Sequence, residues 1–237
     1  MKGINIASVI DHTTLKVDTT KENIKQLCEE AKAANFFAVC VSPYFVRYAS
    51  TQLENTSVKV VTVIGFPFGF SATPAKAEEA KRALEEGADE IDVVVNLNAL
   101  KSGDWNHIRN DIQTMIFLAH QRGRIVKVIF ETGLLTKEEI KKLCEICAEL
   151  DVNFVKTSTG YYKKGATVAV IKYLRKLLPE KIKIKASGGI RSAKKARAMI
   201  NAGADRIGTS SGIKIIEEST PEPVSYTHLT LPTICSV

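Results

Sequence analysis

The chain has 237 residues, 45% of them hydrophobic and 25% charged, with a formal net charge of +7. This composition excludes fibrous and disordered classes, and the length suits one large α/β domain or two small ones. No apolar run reaches the ~18 residues of a membrane span, since Gly65, Pro67 and Gly69 interrupt the stretch 60–70. The start, Met1-Lys2-Gly3-Ile4-Asn5, lacks the apolar segment of a secretory signal. Five unevenly spaced cysteines fit reduced thiols better than a disulfide framework, so a cytoplasmic location is expected. The basic excess points to anionic partners, phosphorylated metabolites or nucleic acid, without choosing between them.

In chain order, residues 6–11 read as a first strand ending at Asp11, and Asp18-Thr19-Thr20 supplies cap oxygens for a helix carrying Ile24, Leu27, Cys28 and Ala31 at helical spacing. Residues 37–41 form a second strand, with Pro43 opening the next helix. Residues 58–64 are a near-continuous apolar strand, as expected of one buried on both faces, and a Gly65-Phe66-Pro67-Phe68-Gly69 loop follows it. A helix over 71–86 ends at Gly87. The strand 88–95 and a helix from Asp104 to about Gly123 come next, then the strand 124–130. Thr136 and Glu139 form a capping box for a helix to Leu150. Strand 153–157, helix 167–177, strand 181–186, helix 192–201 and strand 204–208 complete the pattern.

Eight strands alternating with helices predict a parallel sheet closed into a single (β/α)8 TIM barrel. The echo between Glu86-Gly87-Ala88-Asp89 and Ala202-Gly203-Ala204-Asp205 agrees with that. The open doubly wound alternative usually carries Gly-x-Gly-x-x-Gly after its first strand, and this chain has none. The barrel is expected over 1–218, with a truncated last helix at about 213–218. Residues 219–237, with three prolines and no helical period, are expected to be an irregular, disordered or non-native tail.

Active sites of such barrels lie at the C-terminal strand ends. Those ends carry Asp11, Cys40, Asp92, Glu131, Lys156 and Lys185. In Phe154-Val155-Lys156-Thr157-Ser158-Thr159-Gly160 a lysine closes an apolar strand. Desolvation and a cationic neighbour both favour a neutral amine there, which is a nucleophile toward carbonyl carbon. The bland alternative is a lysine snorkelling from a strand end. Alternation in Lys181-Ile182-Lys183-Ile184-Lys185 places the isoleucines outward and the lysines inward, with Asp92 as a partner for the buried charge. Glycine-rich loops at 188–191 and 208–212 precede helices, an arrangement suited to a phosphate dianion.

Other candidates carry less. Cys144-x-x-Cys147 lies within a predicted helix and has no second pair, so it reads as helix packing. The four histidines show no ligand spacing, and no metal site is expected. His12 reads as structural or site-lining. Cys40 reads as a buried thiol. The basic stretch Lys172, Arg175, Lys176, Lys181 lacks interleaved aromatics for a single-strand nucleic-acid platform.

Six motifs in this order resemble the 2-deoxyribose-5-phosphate aldolases over about residues 6–212: Ile10-Asp11-His12-Thr13, Thr62-Val63-Ile64-Gly65-Phe66-Pro67, Gly87-Ala88-Asp89-Glu90-Ile91-Asp92, Phe154 through Gly160, Lys185-Ala186-Ser187-Gly188-Gly189-Ile190-Arg191 and Ile207 through Gly212. The resemblance implies a class I, metal-free and cofactor-free aldolase. Lys156 would form the Schiff base with acetaldehyde, Lys185 would tune it, and Asp92 with Lys185 would relay protons. It further implies that Asp11, Thr13, Cys40 and Thr159 line the substrate, and that Gly160, Gly188, Gly189, Arg191, Gly208, Ser210 and Ser211 hold phosphate. Implied partners are small phosphosugars and aldehydes, with a homodimer possible and neither membrane nor nucleic acid expected. A related Schiff-base aldolase with another phosphosugar, or a catalytically idle phosphate- or nucleic-acid-binding barrel, are the alternatives. Three features differ from the family pattern. They are Tyr161-Tyr162-Lys163-Lys164 in place of a glycine-rich loop, Ser42 before Pro43, and a tail in which Tyr226 has no matching context.

Overall fold

Alternating apolar residues in short β-rich runs, each followed by an amphipathic stretch, build a closed eight-stranded parallel barrel in the computed structural model, which describes residues 5–219. The strands are β1 (Ile10–Thr13), β2 (Ala38–Val41), β3 (Lys59–Ile64), β4 (Glu90–Val94), β5 (Ile125–Ile129), β6 (Phe154–Lys156), β7 (Lys183–Ser187) and β8 (Arg206–Thr209). Each pairs with the next, and β8 returns to β1 through Asp11 opposite Gly208. The outer layer comprises α1 (Lys21–Ala33), α2 (Val46–Gln52), α3 (Thr73–Glu85), α4 (Leu97–Lys101), α5 (Trp105–His120), α6 (Lys137–Glu149), α7 (Val168–Leu177), α8 (Ala193–Asn201) and α9 (Gly212–Glu217). None of the described helices is long and apolar enough to cross a membrane.

Local chemistry sets the helix starts. Thr20 and Asn23 cap α1 reciprocally, as do Thr136 and Glu139 at α6, arrangements that satisfy orphan backbone donors. In α6 the buried residues Ile140, Leu143, Cys144 and Cys147 recur at helical spacing and face the barrel. Outward-facing strand residues such as Val39, Ile91, Val128, Val155 and Ile184 meet these helices in one large apolar cluster.

The barrel interior is divided by chemistry. On the β2–β3 side Ala38, Cys40, Val61 and Val63 form a separate apolar cluster, with Leu15, Phe37 and Phe66 packed against it. On the opposite side the register sets Asp92 beside Lys127, and Lys156 beside Lys185. The charged half of the interior is where the site lies.

Several elements differ from expectation. Residues 6–11 do not form one strand: Ile6–Val9 is a 3-10 turn, capped by the Asn5 side chain on the Ala7 N–H, and β1 begins at Ile10. The helix expected from Asp104 to Gly123 ends at His120 and is preceded by the short α4, which Asn96 caps. Of the lysines expected inside β7, Lys181 precedes the strand and pairs with Asp151 at 2.7 Å. Lys183 is exposed at the strand's first position, so only Lys185 is buried. The expectation for 220–237 lies outside the described residues.

Candidate active site

Three carboxylates and four cations meet inside the barrel, each delivered by an inward position of a strand. Asp92 on β4 is fully buried, and its Oδ2 accepts from Lys156 Nζ and Lys185 Nζ, both at 2.8 Å. Its Oδ1 accepts from Lys127 Nζ at 2.8 Å. Lys127 also pairs with Glu90, two residues below Asp92 on the same face. Lys185 pairs with Asp11 at 2.5 Å, and Arg206 Nη1 donates to Asp11 Oδ1 at 2.9 Å and to Glu90 Oε2 at 3.4 Å. The Arg206 guanidinium lies over the Phe37 ring, 3.4 Å from its centroid.

Burial alone would raise the Asp92 carboxyl, but Lys127, Lys156 and Lys185 together hold it well below the usual carboxylate range. Asp11 behaves alike: burial pushes it up, and Lys185 and Arg206 more than reverse that. Burial works against the Lys185 ammonium, yet Asp11 and Asp92 outweigh it and hold the group protonated beyond an ordinary lysine. Lys156, paired through the oxygen it shares with Lys185, is the lysine of this cluster that reaches the cavity.

That cavity, about 320 Å³, opens at the C-terminal ends of the strands. Of the residues singled out from sequence, Thr13, Lys156, Thr159, Gly160, Gly188, Gly189, Arg191, Gly208 and Ser210 line it. Asp11, Asp92 and Lys185 lie just below, in the charged layer. Cys40 sits in the buried apolar wall rather than the lining, and burial pushes its thiol up. Ser211 stands one residue beyond the lining and gives its N–H to Thr209 Oγ1. Gly208 lies against Lys185: a Cβ there would stand 2.9 Å from Lys185 Cε.

The loops after β6 and β7 line the cavity with Thr159, Gly160 and Tyr161 and with Gly188 and Gly189. The α8 N-terminus is already engaged, because Glu218 Oε2 accepts the Ala193 N–H at 2.7 Å. The turn at Gly188-Gly189, both at positive φ, lines the cavity together with Ile190 and Arg191.

Four residues of this arrangement escape a reading of strand ends: Glu90, Lys127 and Arg206 lie one layer deeper, and Tyr161 lies in a loop. Lys127 does carry a signal, a lone charge centred in Ile125-Val126-Lys127-Val128-Ile129. Glu131 closes β5 in a left-handed conformation, fully buried, and its Oε2 accepts from both the N–H and the hydroxyl of Thr159. His12 turns away from the interior to Glu30 on α1, at 2.6 Å. Cys144 and Cys147 are buried, unpaired thiols on α6, the first pushed up to about 12 by burial. Among the described residues no group of three or more His, Cys, Asp or Glu is placed to hold a metal.

A (β/α)8 barrel with a lysine amine in the cavity at its mouth and a buried carboxylate shared beneath it suits imine chemistry on carbonyl compounds. Comparison with known proteins narrows the class. Residues 6–218 match the DeoC/LacD family aldolases. A deoxyribose-phosphate aldolase of Thermococcus kodakarensis is 51% identical over 224 residues, covering 94% of this chain and 100% of the relative. One from Thermococcus gammatolerans is 50% identical over 219 residues, covering 92% and 97%. Among solved structures, the aldolase QR15 superposes with a TM-score of 0.87 at 41% identity, covering 92% of this chain and 96% of that one. A tetrameric deoxyribose phosphate aldolase from Aeropyrum pernix gives 0.84 at 36%, covering 90% and 89%. The chain belongs to the DeoC/LacD aldolase family.

Proposed function

We propose that this protein is a class I aldolase that reversibly cleaves 2-deoxy-D-ribose 5-phosphate to acetaldehyde and D-glyceraldehyde 3-phosphate, with Lys156 as the nucleophile. The relatives' shared activity and the six sequence motifs support the substrate. The observation that carries the mechanism is the charge count around Asp92. Four cationic groups, Lys127, Lys156, Lys185 and Arg206, face three carboxylates, Asp11, Glu90 and Asp92. Loss of one proton makes the cluster neutral. Lys127, Lys185 and Arg206 each bridge two carboxylates, whereas Lys156 has a share in one and faces the cavity. Lys156 is therefore the amine of the cluster placed to meet a carbonyl compound in the cavity, and an unprotonated amine is a nucleophile toward carbonyl carbon.

The Lys156 amine adds to the substrate aldehyde carbon, and the carbinolamine loses water to give a protonated imine. Withdrawal of electrons into that imine lets the bond between the second and third carbons break as the third-carbon hydroxyl gives up its proton. Glyceraldehyde 3-phosphate departs, and an enamine stays on Lys156. Protonation of its terminal carbon and hydrolysis release acetaldehyde and restore the amine. Asp92, whose Oδ2 lies 2.8 Å from Lys156 Nζ, and Lys185, bound to that same oxygen, are the groups that move these protons. Thr13 and Thr159 line the path of the sugar, while Gly160, Gly188, Gly189, Arg191, Gly208 and Ser210 surround the phosphate, with Ser211 one residue beyond the lining. Asp11 acts from below by holding Lys185. Cys40 acts as part of the wall. The protein works on free small molecules in the cytoplasm, without metal or cofactor and without nucleic acid. The described residues up to 218 act as one barrel, and a homodimer is a possible assembly.

Borohydride reduction in the presence of acetaldehyde, with peptide mass spectrometry, tests the mechanism. A two-carbon adduct on Lys156 is expected, and Lys156→Ala should lose the adduct and roughly 10⁴- to 10⁶-fold in turnover, the scale of removing a covalent nucleophile. An adduct on Lys185 instead would exchange the two lysines' roles. The absence of any adduct from folded protein would leave the binding barrel as the surviving alternative.

A further inference from the structure

The loop after β6 is fixed at both ends and arched between them. At its start Thr159 is held by Glu131, and the Thr159 hydroxyl accepts the Tyr161 N–H at 3.2 Å. At its end Gly165 lies so close to the β7 loop that a Cβ would stand 2.1 Å from the Gly188 carbonyl oxygen, and Ala166 N–H donates to Ser187 O at 3.0 Å. Tyr161 heads the arch and lines the same cavity as Lys156. Its phenol donates to the Leu15 carbonyl at 2.7 Å, joining the loop after β6 to the loop after β1 across 146 residues of sequence. Its ring stands edge-on to Phe66, centroids 5.2 Å apart at 87°. Phe66 and Leu15 both pack on the apolar wall of Ala38, Cys40, Val61 and Val63. Tyr161 thus spans the mouth from the charged side, where the amine is, to the apolar side.

We propose that Tyr161 is a specificity-determining residue that limits the size of the aldehyde reaching Lys156, its ring forming the outer wall and its hydroxyl latching that wall shut. The chemistry fits a small donor and a phosphorylated partner. A two-carbon aldehyde passes beneath the ring. A phosphosugar is drawn along the opposite wall toward the Gly188-Gly189 turn. A broad apolar aldehyde has to displace the ring and break the latch. This inference rests on the imine reading of Lys156.

The test compares wild type, Tyr161→Ala and Tyr161→Phe by borohydride labelling of Lys156 with acetaldehyde and with 3-phenylpropanal, an unphosphorylated bulky aldehyde. The quantity read is the ratio of the two labelling rates. Tyr161→Ala is expected to shift that ratio toward the bulky aldehyde by about ten-fold or more, the scale on which pocket walls discriminate. Tyr161→Phe keeps the ring and loses the latch, and should shift it the same way by a smaller factor. As a near-isosteric change it also decides the matter should Tyr161→Ala fail to fold. Unchanged ratios, or equal proportional losses with both aldehydes, overturn the role of Tyr161. Failure of acetaldehyde to label Lys156 in the wild type defeats the aldolase reading itself, and this inference with it.

Discussion

Asp92 accepts from three lysines at once, so its removal is felt in chemistry and stability together. Asp92→Asn leaves Lys127, Lys156 and Lys185 with fewer countercharges, and turnover should fall by roughly 10²- to 10⁴-fold, the range for losing a general acid–base group. Stability should fall at neutral pH by about 3–5 kcal/mol, as when one partner of a buried ion pair is deleted. The pH dependence follows from the sign of the shift. A carboxyl lowered in the folded state stabilises above its unfolded value, about 3.9, and that contribution is lost as pH falls through the lowered value. Wild type should therefore lose stability steeply below about pH 4, where Asp92 and Asp11 are both held low. Asp92→Asn should start less stable and fall less steeply; thermal melts from pH 7 to pH 2 measure both, and parallel curves would refute the linkage. Asp92, Lys156 and Lys185 are legible in sequence because a charge at the end of an apolar strand is costly unless used or paired. Depth is not legible in that way. In sequence Asp11 reads as a strand end, yet it lies within β1 and serves Lys185 from beneath the cavity, and only the closed barrel shows Arg206 bridging it to Glu90.

At the scale of elements, the site depends on two loops that touch. Gly188-Gly189 is recognisable in sequence as a turn at positive φ before a helix. Its dependence on Gly165 is not, because that contact joins the loops after β6 and β7 and leaves no local pattern. The first strand shows the same limit: Ile6-Ala7-Ser8-Val9 has β-like composition, but the Asn5 cap and burial of Ile6 and Ala7 turn it into 3-10 geometry. Gly165→Ala tests the loop contact. The added carbon would meet the Gly188 carbonyl oxygen at 2.1 Å and its carbon at 2.4 Å, both backbone atoms. Overpacking of this kind costs about 1–3 kcal/mol, a drop of roughly 2–4 °C in melting temperature for each kcal/mol in a chain of this size. Since the displaced atoms carry the proposed anion cradle, the KM for deoxyribose 5-phosphate should rise while acetaldehyde labelling of Lys156 stays near the wild-type rate. Equal losses in both would mean that the two loops do not divide phosphate binding from imine formation.

For the molecule as a whole, the question is what closes the barrel. The β8–β1 seam is held by backbone pairing through Ile10, Asp11 and His12, and inside it by the Arg206–Asp11 bridge. Outside, α9 covers it with only six residues, Gly212–Glu217. Their contacts are dense for so short an element. Ile215 is fully buried, Gly212 lies against His12 and Phe36, and Glu218 caps the Ala193 N–H of α8. The alternation of strands and helices makes eight units readable from sequence, whereas the packing of this short cover is not, since it depends on close approach to His12 and Phe36. Two truncations separate the possibilities. A chain ending at Ser219 keeps each of these contacts, and its unfolding free energy should stay within about 1 kcal/mol of the full chain, a melting change of no more than roughly 4 °C. A chain ending at Ser211 loses the burial of Ile215, about 1.5–3 kcal/mol. It also loses the charged cap on α8, about 1.5–3 kcal/mol more, and should melt well below both. If the chain ending at Ser219 falls as far as the shorter one, residues beyond 219 take part in closing the barrel, and the single-barrel boundary at 218 is wrong. If it holds while the shorter chain falls, α9 together with Glu218 is what secures the seam beneath which Asp11 positions Lys185.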